Sequence, residues 1–240
     1  MKKKLLAIML CVAMLAVATV SGTMAYFTDT NTQTNTFTAG KVDISLDEAV
    51  VEKDANGNLV AKGDERTSEA QAYHLYPAQI ITKDPTITVA ADSEDTYIAA
   101  VVTVTGDLYS LIGIADTDMI DINLLASGGL LHDASAARTD WNGLSLVHET
   151  DKCVIYQAAD KENNTWVLYI FMKDVQVKNA TITLFDTLTI PAAWDNAEMK
   201  LINGAQIKVD AYATQTNGFA DCYTAVTTAF SDVFGDLMPS

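Results

Sequence analysis

The stretch AQIKVDAYATQ, Ala205–Gln215, alternates apolar and polar side chains along its length. One face would carry Ala205, Ile207, Val209, Ala211 and Ala213; the other would carry Gln206, Lys208, Asp210, Tyr212 and Thr214. Successive side chains of a strand point to opposite sides, so a period of two predicts a strand with one buried face. It is the longest alternating stretch in the chain, and it favours an all-β, mainly antiparallel fold.

Further strand patterns lie upstream. Tyr97–Val104 is apolar on both faces, which predicts a central strand. Pro85 interrupts Ile80–Val89, so that segment is predicted to be an edge strand or two strands with a break. Asn56-Gly57 predicts a hairpin turn because both residues tolerate a positive φ, and Asp160–Asn164 predicts a second hairpin.

Two regions depart from the period of two. Residues 106–140 lack clean alternation and predict an irregular or helical excursion. Near the C-terminus apolar residues recur at spacings of three and four, from Phe219 to Val233, which predicts an amphipathic helix of about four turns. Many short strands and one late helix together predict an antiparallel β-sandwich.

The N-terminus has the layout of an export signal. Lys2–Lys4 precede an apolar run, Leu5–Val20, and Thr23 and Ala25 would lie at −3 and −1 of a cleavage site. The alternative is a membrane anchor, but the run is shorter than the ~20 residues that span a bilayer. We expect cleavage between Ala25 and Tyr26.

This gives three segments: residues 1–25 as signal peptide, 26–38 as an exposed arm and 39–240 as a single sandwich domain. The three N-terminal lysines would leave with the signal, so the formal net charge would change from −16 to −19. Such a charge disfavours nucleic-acid binding. We expect no membrane association after cleavage.

The sequence contains no pattern typical of catalysis. Its histidines, His74, His132 and His148, are scattered and form no HExxH motif, and there is no GxSxG nucleophile elbow. The tryptophans at 141, 166 and 194 lie beside strand or turn signals and indicate packing. We therefore predict no catalytic residues and no cofactor-binding or metal-binding residues.

Ca²⁺ is the alternative cofactor. Asp54, Asn56 and Asn58 match the first ligand positions of a calcium loop, with Glu65 at its closing position, but Leu59 stands where the loop needs Gly. Acidic clusters at residues 92–95 and 116–121 are also candidates, although such clusters are more often solvated turns. For Cys153 and Cys222, a disulfide and two buried thiols both remain open.

Several short segments resemble the TasA/camelysin family of exported Gram-positive proteins. The N-terminal ones are Ala25–Asp29 and Asn35–Ile44. Later ones are Leu75–Ala78, with Ala where the family has Gly, Lys83–Pro85, Leu184–Asp186, Ile190–Pro191, Ala211–Gln215 and Gly218–Phe219. They occur in the family's order, whereas residues 106–140 match nothing in it.

The resemblance implies a jelly-roll-like sandwich, processing by a signal peptidase of the SipW type, and a place in the extracellular matrix or at the cell surface of a Gram-positive bacterium. It implies a structural role in biofilm matrix fibres, built head to tail from copies of the chain, with an accessory matrix protein as a further candidate partner. A camelysin-like metallopeptidase is the alternative, and a surface adhesion or ligand-binding module is another.

The resemblance also implies that the exposed N-terminal arm of one subunit completes the sheet of the next, and the sequence of the arm suits such strand addition on physical grounds. Residues 26–38 hold one charged side chain, Asp29, and neither Pro nor Gly. The assembly residues we predict are Tyr26, Thr28, Thr30 and Thr32 on one face, with Phe27 and Phe37 as anchors. An arm that adds to the edge of another copy's sheet gains backbone hydrogen bonds, and such a contact propagates unless it closes into a ring. The alternative is an ordinary first strand in the arm's own domain.

Overall fold

A computed structural model describes residues 41–106, 112–113, 120–123, 145–149, 151–160, 163 and 165–234. These residues lie within one compact unit that spans residues 40–240. They form strands β1 (Ile44–Lys53), β2 (Leu59–Thr67), β3 (Ile80–Thr82), β4 (Thr86–Val89), β5 (Thr96–Thr105), β6 (Ile112–Gly113), β7 (Ile120–Asn123), β8 (Ser145–Glu149), β9 (Cys153–Asp160), β10 (Thr165–Met172), β11 (Thr181–Thr183), β12 (Thr187–Thr189) and β13 (Gln206–Gln215). The helices are α1 (Asn196–Leu201), α2 (Cys222–Ala229) and α3 (Ser231–Phe234).

The strands form two sheets. The larger has the order β11-β4-β1-β2-β3-β12-β7-β6, and the smaller has the order β13-β5-β10-β9-β8. Neighbours are antiparallel except for two parallel pairs, β2 with β3 and β6 with β7. The fold is therefore the predicted all-β sandwich of mainly antiparallel strands; the jelly-roll connectivity remains a prediction.

β1 joins two parts of the larger sheet. Its first residues, Ile44–Asp47, pair with β4, and the rest of the strand pairs with β2. The break predicted at Pro85 separates β3 from β4, and the sheet places these two strands on opposite sides of the β1–β2 hairpin. The hairpin turns at Asn56-Gly57, where Gly57 has a φ of 93°, as the sequence predicted.

The main core lies between the sheets. The larger sheet contributes Ile81, Ile87 and Leu188, and the smaller one contributes Ile98, Trp166 and other fully buried side chains. Trp194 is also buried there, so Trp166 and Trp194 pack in the core, as predicted; Trp141 lies outside the described residues.

The outer face of the smaller sheet carries a second core under α2 and α3. Tyr97, Ala99 and Val101 of β5 face this cluster, whereas the residues that alternate with them face the main core. β5 is therefore buried on both faces, which confirms the prediction of a central strand from its apolar residues.

The single four-turn helix predicted near the C-terminus is wrong, because two shorter helices, α2 and α3, occupy this region. α2 begins after Asp221, whose carboxylate accepts a hydrogen bond from the Thr224 N–H at 2.7 Å, and it ends before Phe230. The Thr227 and Thr228 hydroxyls donate to backbone carbonyls one turn earlier, at 2.7 Å each, and such bonds weaken a helix interior. Phe230 then leaves the helical conformation, with φ −127° and ψ 51°, before α3 starts.

The predicted excursion over residues 106–140 lies mostly outside the described residues, which contain only β6 and β7 from that stretch. Among the described residues, none of the three helices has the length and hydrophobicity that a membrane-spanning segment requires.

Candidate functional site

The predicted assembly arm and the cleavage site at Ala25 and Tyr26 lie outside the described residues, as do the side chains of His132 and His148. The described chain starts at Lys41, whose carbonyl accepts a hydrogen bond from the Glu94 N–H at 2.8 Å. The Lys41 ammonium pairs with Asp43 at 2.7 Å and Asp92 at 2.8 Å, and these hydrogen bonds raise the pKa of Lys41. The residue that follows the arm region is thus fixed to the loop that precedes β5.

Within the described residues β13 has one neighbour, β5, so its other side is an edge ten residues long. The other terminal strands are shorter: β11 has three residues, β6 has two and β8 has five. Edge strands expose rows of N–H and C=O groups that another strand can bind. The β13 edge therefore offers the longest such row in the part of the chain that the structure describes.

The pairing identifies which β13 residues face outward. The Thr96 N–H of β5 donates to the Gln176 carbonyl at 2.9 Å, and the Gln176 N–H donates back to the Thr96 carbonyl at 2.8 Å. The backbone groups of Thr96 therefore face the side of β5 on which β10 lies, away from β13. Successive residues of a strand direct their backbone groups to alternate sides, so Tyr97 and every second residue after it face β13. Their partners on β13 are the even-numbered residues from Gln206 to Thr214. Outward-facing backbone groups therefore belong to Ile207, Val209, Ala211 and Ala213.

The side chains of these four residues are half-buried against the main core. The opposite face carries Lys208 and Asp210, paired at 2.8 Å, and Tyr212, whose ring packs against Phe230 at 5.2 Å and Phe234 at 5.1 Å. The β13 edge thus combines an apolar row, an outward backbone row and an aromatic cluster.

A second arrangement surrounds Lys83-Asp84-Pro85. The backbone brings this segment against Leu184–Asp186: the Lys83 N–H donates to the Asp186 carbonyl at 2.9 Å, and the Leu184 N–H donates to the Pro85 carbonyl at 3.0 Å. Two family-like segments that are distant in sequence are therefore neighbours in the fold.

The side chains of Lys83 and Asp84 hold β1 and β2 to this segment. Lys83 pairs with Glu48 of β1, and their side chains are only 11% and 12% exposed. Asp84 accepts from the Ala49 N–H at 2.6 Å and from Arg66 of β2 at 2.8 Å.

Two further contacts complete this ion-pair cluster. Arg66 also binds Asp47 at 2.6 Å. Desolvation opposes the protonated form of Arg66, but the hydrogen bonds that Arg66 donates to Asp84 and Asp47 outweigh it and raise the pKa of Arg66. The Tyr73 hydroxyl donates a hydrogen bond to Glu48. The pKa of Tyr73 is raised mainly because the hydroxyl is buried, and also because the negative charge of Glu48 lies close to it. We interpret the cluster as a structural clamp, because every carboxylate in it is already bonded to a cation or a backbone N–H.

The Asp54 turn is held together by its own hydrogen bonds. The Asp54 carboxylate accepts from the N–H groups of Asn56 and Asn58 at 2.9 and 2.7 Å and from the Asn58 side-chain amide at 3.2 Å. Desolvation opposes ionisation of Asp54, yet the bonds from Asn58 and Asn56 lower its pKa. Glu65, the proposed closing ligand, instead pairs with Lys62 at 2.9 Å. The Asp54 carboxylate therefore stabilises a turn in this structure, and Glu65 is not directed to it as a closing ligand would be.

No group of three or more His, Cys, Asp and Glu side chains within the described ranges is placed to hold a metal ion. Of the first acidic cluster, Asp92 pairs with Lys41; Asp116 and Asp118 of the second lie outside the described residues.

His74 lines an open groove of about 390 Å³ beside the first hairpin. Its other lining residues are Val51, Lys53, Leu59, Gln71, Ala72, Tyr73, Tyr76 and Gln79, which include neither a carboxylate nor a thiol. Lys53 lies over the Tyr76 ring, 4.9 Å from its centroid. The groove therefore lacks the paired acid and base that general acid–base catalysis uses.

Cys153 and Cys222 are not joined in a disulfide. Cys153 is buried in the main core, whereas Cys222 is buried in the outer cluster, so the smaller sheet lies between them. The Cys222 thiol donates to the Ile98 carbonyl at 3.2 Å, and burial raises its pKa to about 12. Of the two alternatives left open by the sequence, this geometry corresponds to buried thiols.

Comparison with known proteins adds one finding. Residues 1–68 match the family model described as camelysin metallo-endopeptidase. The N-terminal part of the chain is therefore similar to the camelysin family, over less than a third of its length. The match ends just after β2, and the matched stretch contains no histidine. Searches of the curated proteins and of the solved structures returned no match.

Proposed function

We propose that the mature chain is a secreted structural subunit of biofilm matrix or cell-surface fibres, and that residues 26–38 join each subunit to the next. The observation that carries the proposal is a strand-prone sequence, residues 26–38, that directly precedes the sandwich domain. Residues from Lys41 onward already bury a core of their own, so the arm can serve another copy.

Two further observations support this role. The family match covers the arm together with the first hairpin, and the camelysin family is of a cell-surface or secreted type. The high negative charge keeps single subunits soluble before they assemble. The metallo-endopeptidase activity in the family's name is not favoured, because the matched residues lack histidine and the described ones hold no metal cluster.

Electron microscopy of residues 26–240 and of residues 39–240 tests the proposal. We expect fibres from the longer chain and single subunits from the shorter one, because only the longer chain has a strand to donate. Size-exclusion chromatography of both checks that the shorter chain is folded and monomeric.

Unchanged fibres from residues 39–240 would contradict the role of the arm. Single subunits from residues 26–240 across a wide range of concentration would contradict self-assembly. Casein cleavage that a chelator abolishes would favour the peptidase instead.

A further inference from the structure

We propose that the open groove beside the first hairpin binds the carboxylate end of a short, extended peptide. On one side the groove is lined by Val51 and Lys53 of β1, and on the other by residues of the segment that follows β2, among them His74 and Tyr76. The site belongs to the larger sheet and does not include residues 26–38, so peptide binding is independent of the polymerisation proposed above.

The edge of β1 that borders the groove lacks a neighbouring strand. β4 pairs with this edge only as far as Asp47. Beyond that point the N–H groups of Ala49 and Val51 donate to side chains, at 2.6 and 3.3 Å, instead of to another strand. Every second residue of a strand directs its backbone groups to the same side. The Val51 C=O and the Lys53 N–H therefore lie on this open side, and neither has a hydrogen-bond partner among the described residues.

Gln71 shows how an amide group binds to this edge. Its side-chain N–H donates to the Ala49 C=O at 2.8 Å, and its side-chain oxygen accepts the hydrogen bond from the Val51 N–H. One amide thus bridges a C=O and the N–H two residues later, as a residue of a parallel neighbouring strand does. The Val51 C=O and the Lys53 N–H repeat this pair one step along β1, and both residues line the groove. A peptide residue that donates to the first and accepts from the second continues the row that Gln71 begins.

The side chains around this vacant pair favour a negatively charged group. No lining residue of the groove is acidic, although the chain has a net charge of −16. The Lys53 ammonium lies over the Tyr76 ring, 4.9 Å from its centroid, and has no carboxylate partner in the part of the chain that the structure describes. His74 is exposed in the same groove and can donate a further hydrogen bond. A carboxylate at the Lys53 N–H therefore gains charge-assisted hydrogen bonds, which are stronger than neutral ones.

The position of Lys53 suits the end of a peptide better than its middle. After Lys53 the backbone enters the hairpin turn, where the Asp54 N–H donates across the turn at 2.9 Å. A peptide that runs parallel to β1 therefore meets its last free donor at the Lys53 N–H, beside the ammonium, and its terminal carboxylate can occupy that point. Val51, Leu59 and the Tyr76 ring also line the groove, so an apolar last residue fits there.

Fluorescence polarisation of labelled peptides with residues 26–240 tests the proposal. The peptides are Ala-Ala-Thr followed by Val, Leu, Phe or Tyr, each prepared with a free carboxylate and, as a matched control, with a terminal amide. Unlabelled acetyl peptides serve as competitors, which separates binding of the peptide from binding of the dye. We expect at least one peptide with a free carboxylate to bind about ten-fold more tightly than its amide, because only the carboxylate forms charged hydrogen bonds.

Substitutions at Lys53 separate the contribution of its side chain from that of its backbone. Lys53→Met removes the ammonium and keeps the N–H, so it should cost the carboxylate peptide about ten-fold in affinity and the amide peptide little. Lys62→Met, in the same hairpin but outside the groove, is the matched control and should leave binding unchanged. Lys53→Pro also removes the N–H, on the side away from β2, and should weaken the amide peptide as well. A thermal melt of each variant checks that the hairpin is retained.

Three results would overturn the proposal. Equal affinity for the carboxylate and amide peptides would show that the groove does not recognise a chain end. Equal losses in Lys53→Met and Lys62→Met would show a general effect of charge instead of a site. No competition by any unlabelled peptide would show that the groove binds none of them. None of these results bears on the fibres, which electron microscopy scores separately, so the proposed function stands or fails independently.

Discussion

At the scale of single residues, the backbone of Gly57 and the side chain of Tyr76 lie in close contact. Gly57 has a φ of 93°, and a Cβ added there would lie 2.3 Å from the Tyr76 hydroxyl oxygen. That oxygen is buried and has no hydrogen-bond partner among the described residues. The hairpin turn therefore depends on a glycine for two separate reasons, its backbone conformation and the close approach of Tyr76.

We predict that Gly57→Ala destabilises the protein by about 2 kcal/mol, because a left-handed conformation and a close contact add together. Gly63→Ala is the matched control, since Gly63 has a φ of 58° but open space around it. Urea unfolding should show a larger loss for Gly57→Ala than for Gly63→Ala. Tyr76→Phe should be neutral or stabilising alone and should rescue part of Gly57→Ala; equal losses at the two glycines would contradict the contact.

Lys83 and Glu48 form the mostly buried ion pair of the ion-pair cluster. We predict that Lys83→Met lowers the free energy of unfolding by about 3 kcal/mol, because Glu48 would remain as an uncompensated charge. Adding Glu48→Leu to Lys83→Met should recover much of this loss. Lys62→Met, which breaks the exposed pair with Glu65, is the control and should change the midpoint of unfolding little. A similar effect at Lys62 and Lys83 would contradict the importance of burial.

At the scale of elements, α2 and α3 are held to the sheet by side chains from both. Cys222 at the start of α2 bonds the Ile98 carbonyl of β5, and Phe234 of α3 packs against Phe171 at 5.5 Å. Because these contacts close off the thiol, its reactivity reports how often the helices leave the sheet.

We predict that Cys222 reacts slowly with maleimide at pH 8 in a Cys153→Ala background. Only the thiolate reacts, and with a pKa of about 12 the buried thiol stays protonated at pH 8. Phe234→Ala should accelerate labelling at least ten-fold by removing the packing of α3, whereas the exposed Asp232→Asn should not. Equal rates for Phe234→Ala and the parent would show that α3 does not hold α2.

Strands and helices could be predicted where the spacing of apolar residues in the sequence matches the burial of those residues in the fold. β13 follows its alternation, and β5 follows its apolar residues. α1 was not predicted, although Asp195 and Glu198 form a capping box that is legible in the sequence. The break at Phe230 could not be read from apolar spacing, because that spacing continues across it and the reorientation depends on how Phe230 and Phe234 dock on Tyr212.

At the scale of the whole molecule, the proposed fibre joins residues 26–38 of one copy to the sandwich of another copy. A contact between different surfaces of identical subunits repeats without limit unless the rotation closes it, which is the geometry of a filament.

Strands such as β5 and β13, the first hairpin and the class of fold could be predicted from the amino-acid sequence, because these follow from side-chain period and turn chemistry within a few residues. The resemblance to the camelysin family was also visible in the sequence, and the family match supports it over residues 1–68. Three other features come from the tertiary fold: Lys83–Pro85 lies beside Leu184–Asp186, β13 is a terminal strand among the described residues, and Cys153 and Cys222 lie on opposite faces of one sheet. Those facts depend on which strands become neighbours, and strand order follows from burying two sheets against each other rather than from any local pattern.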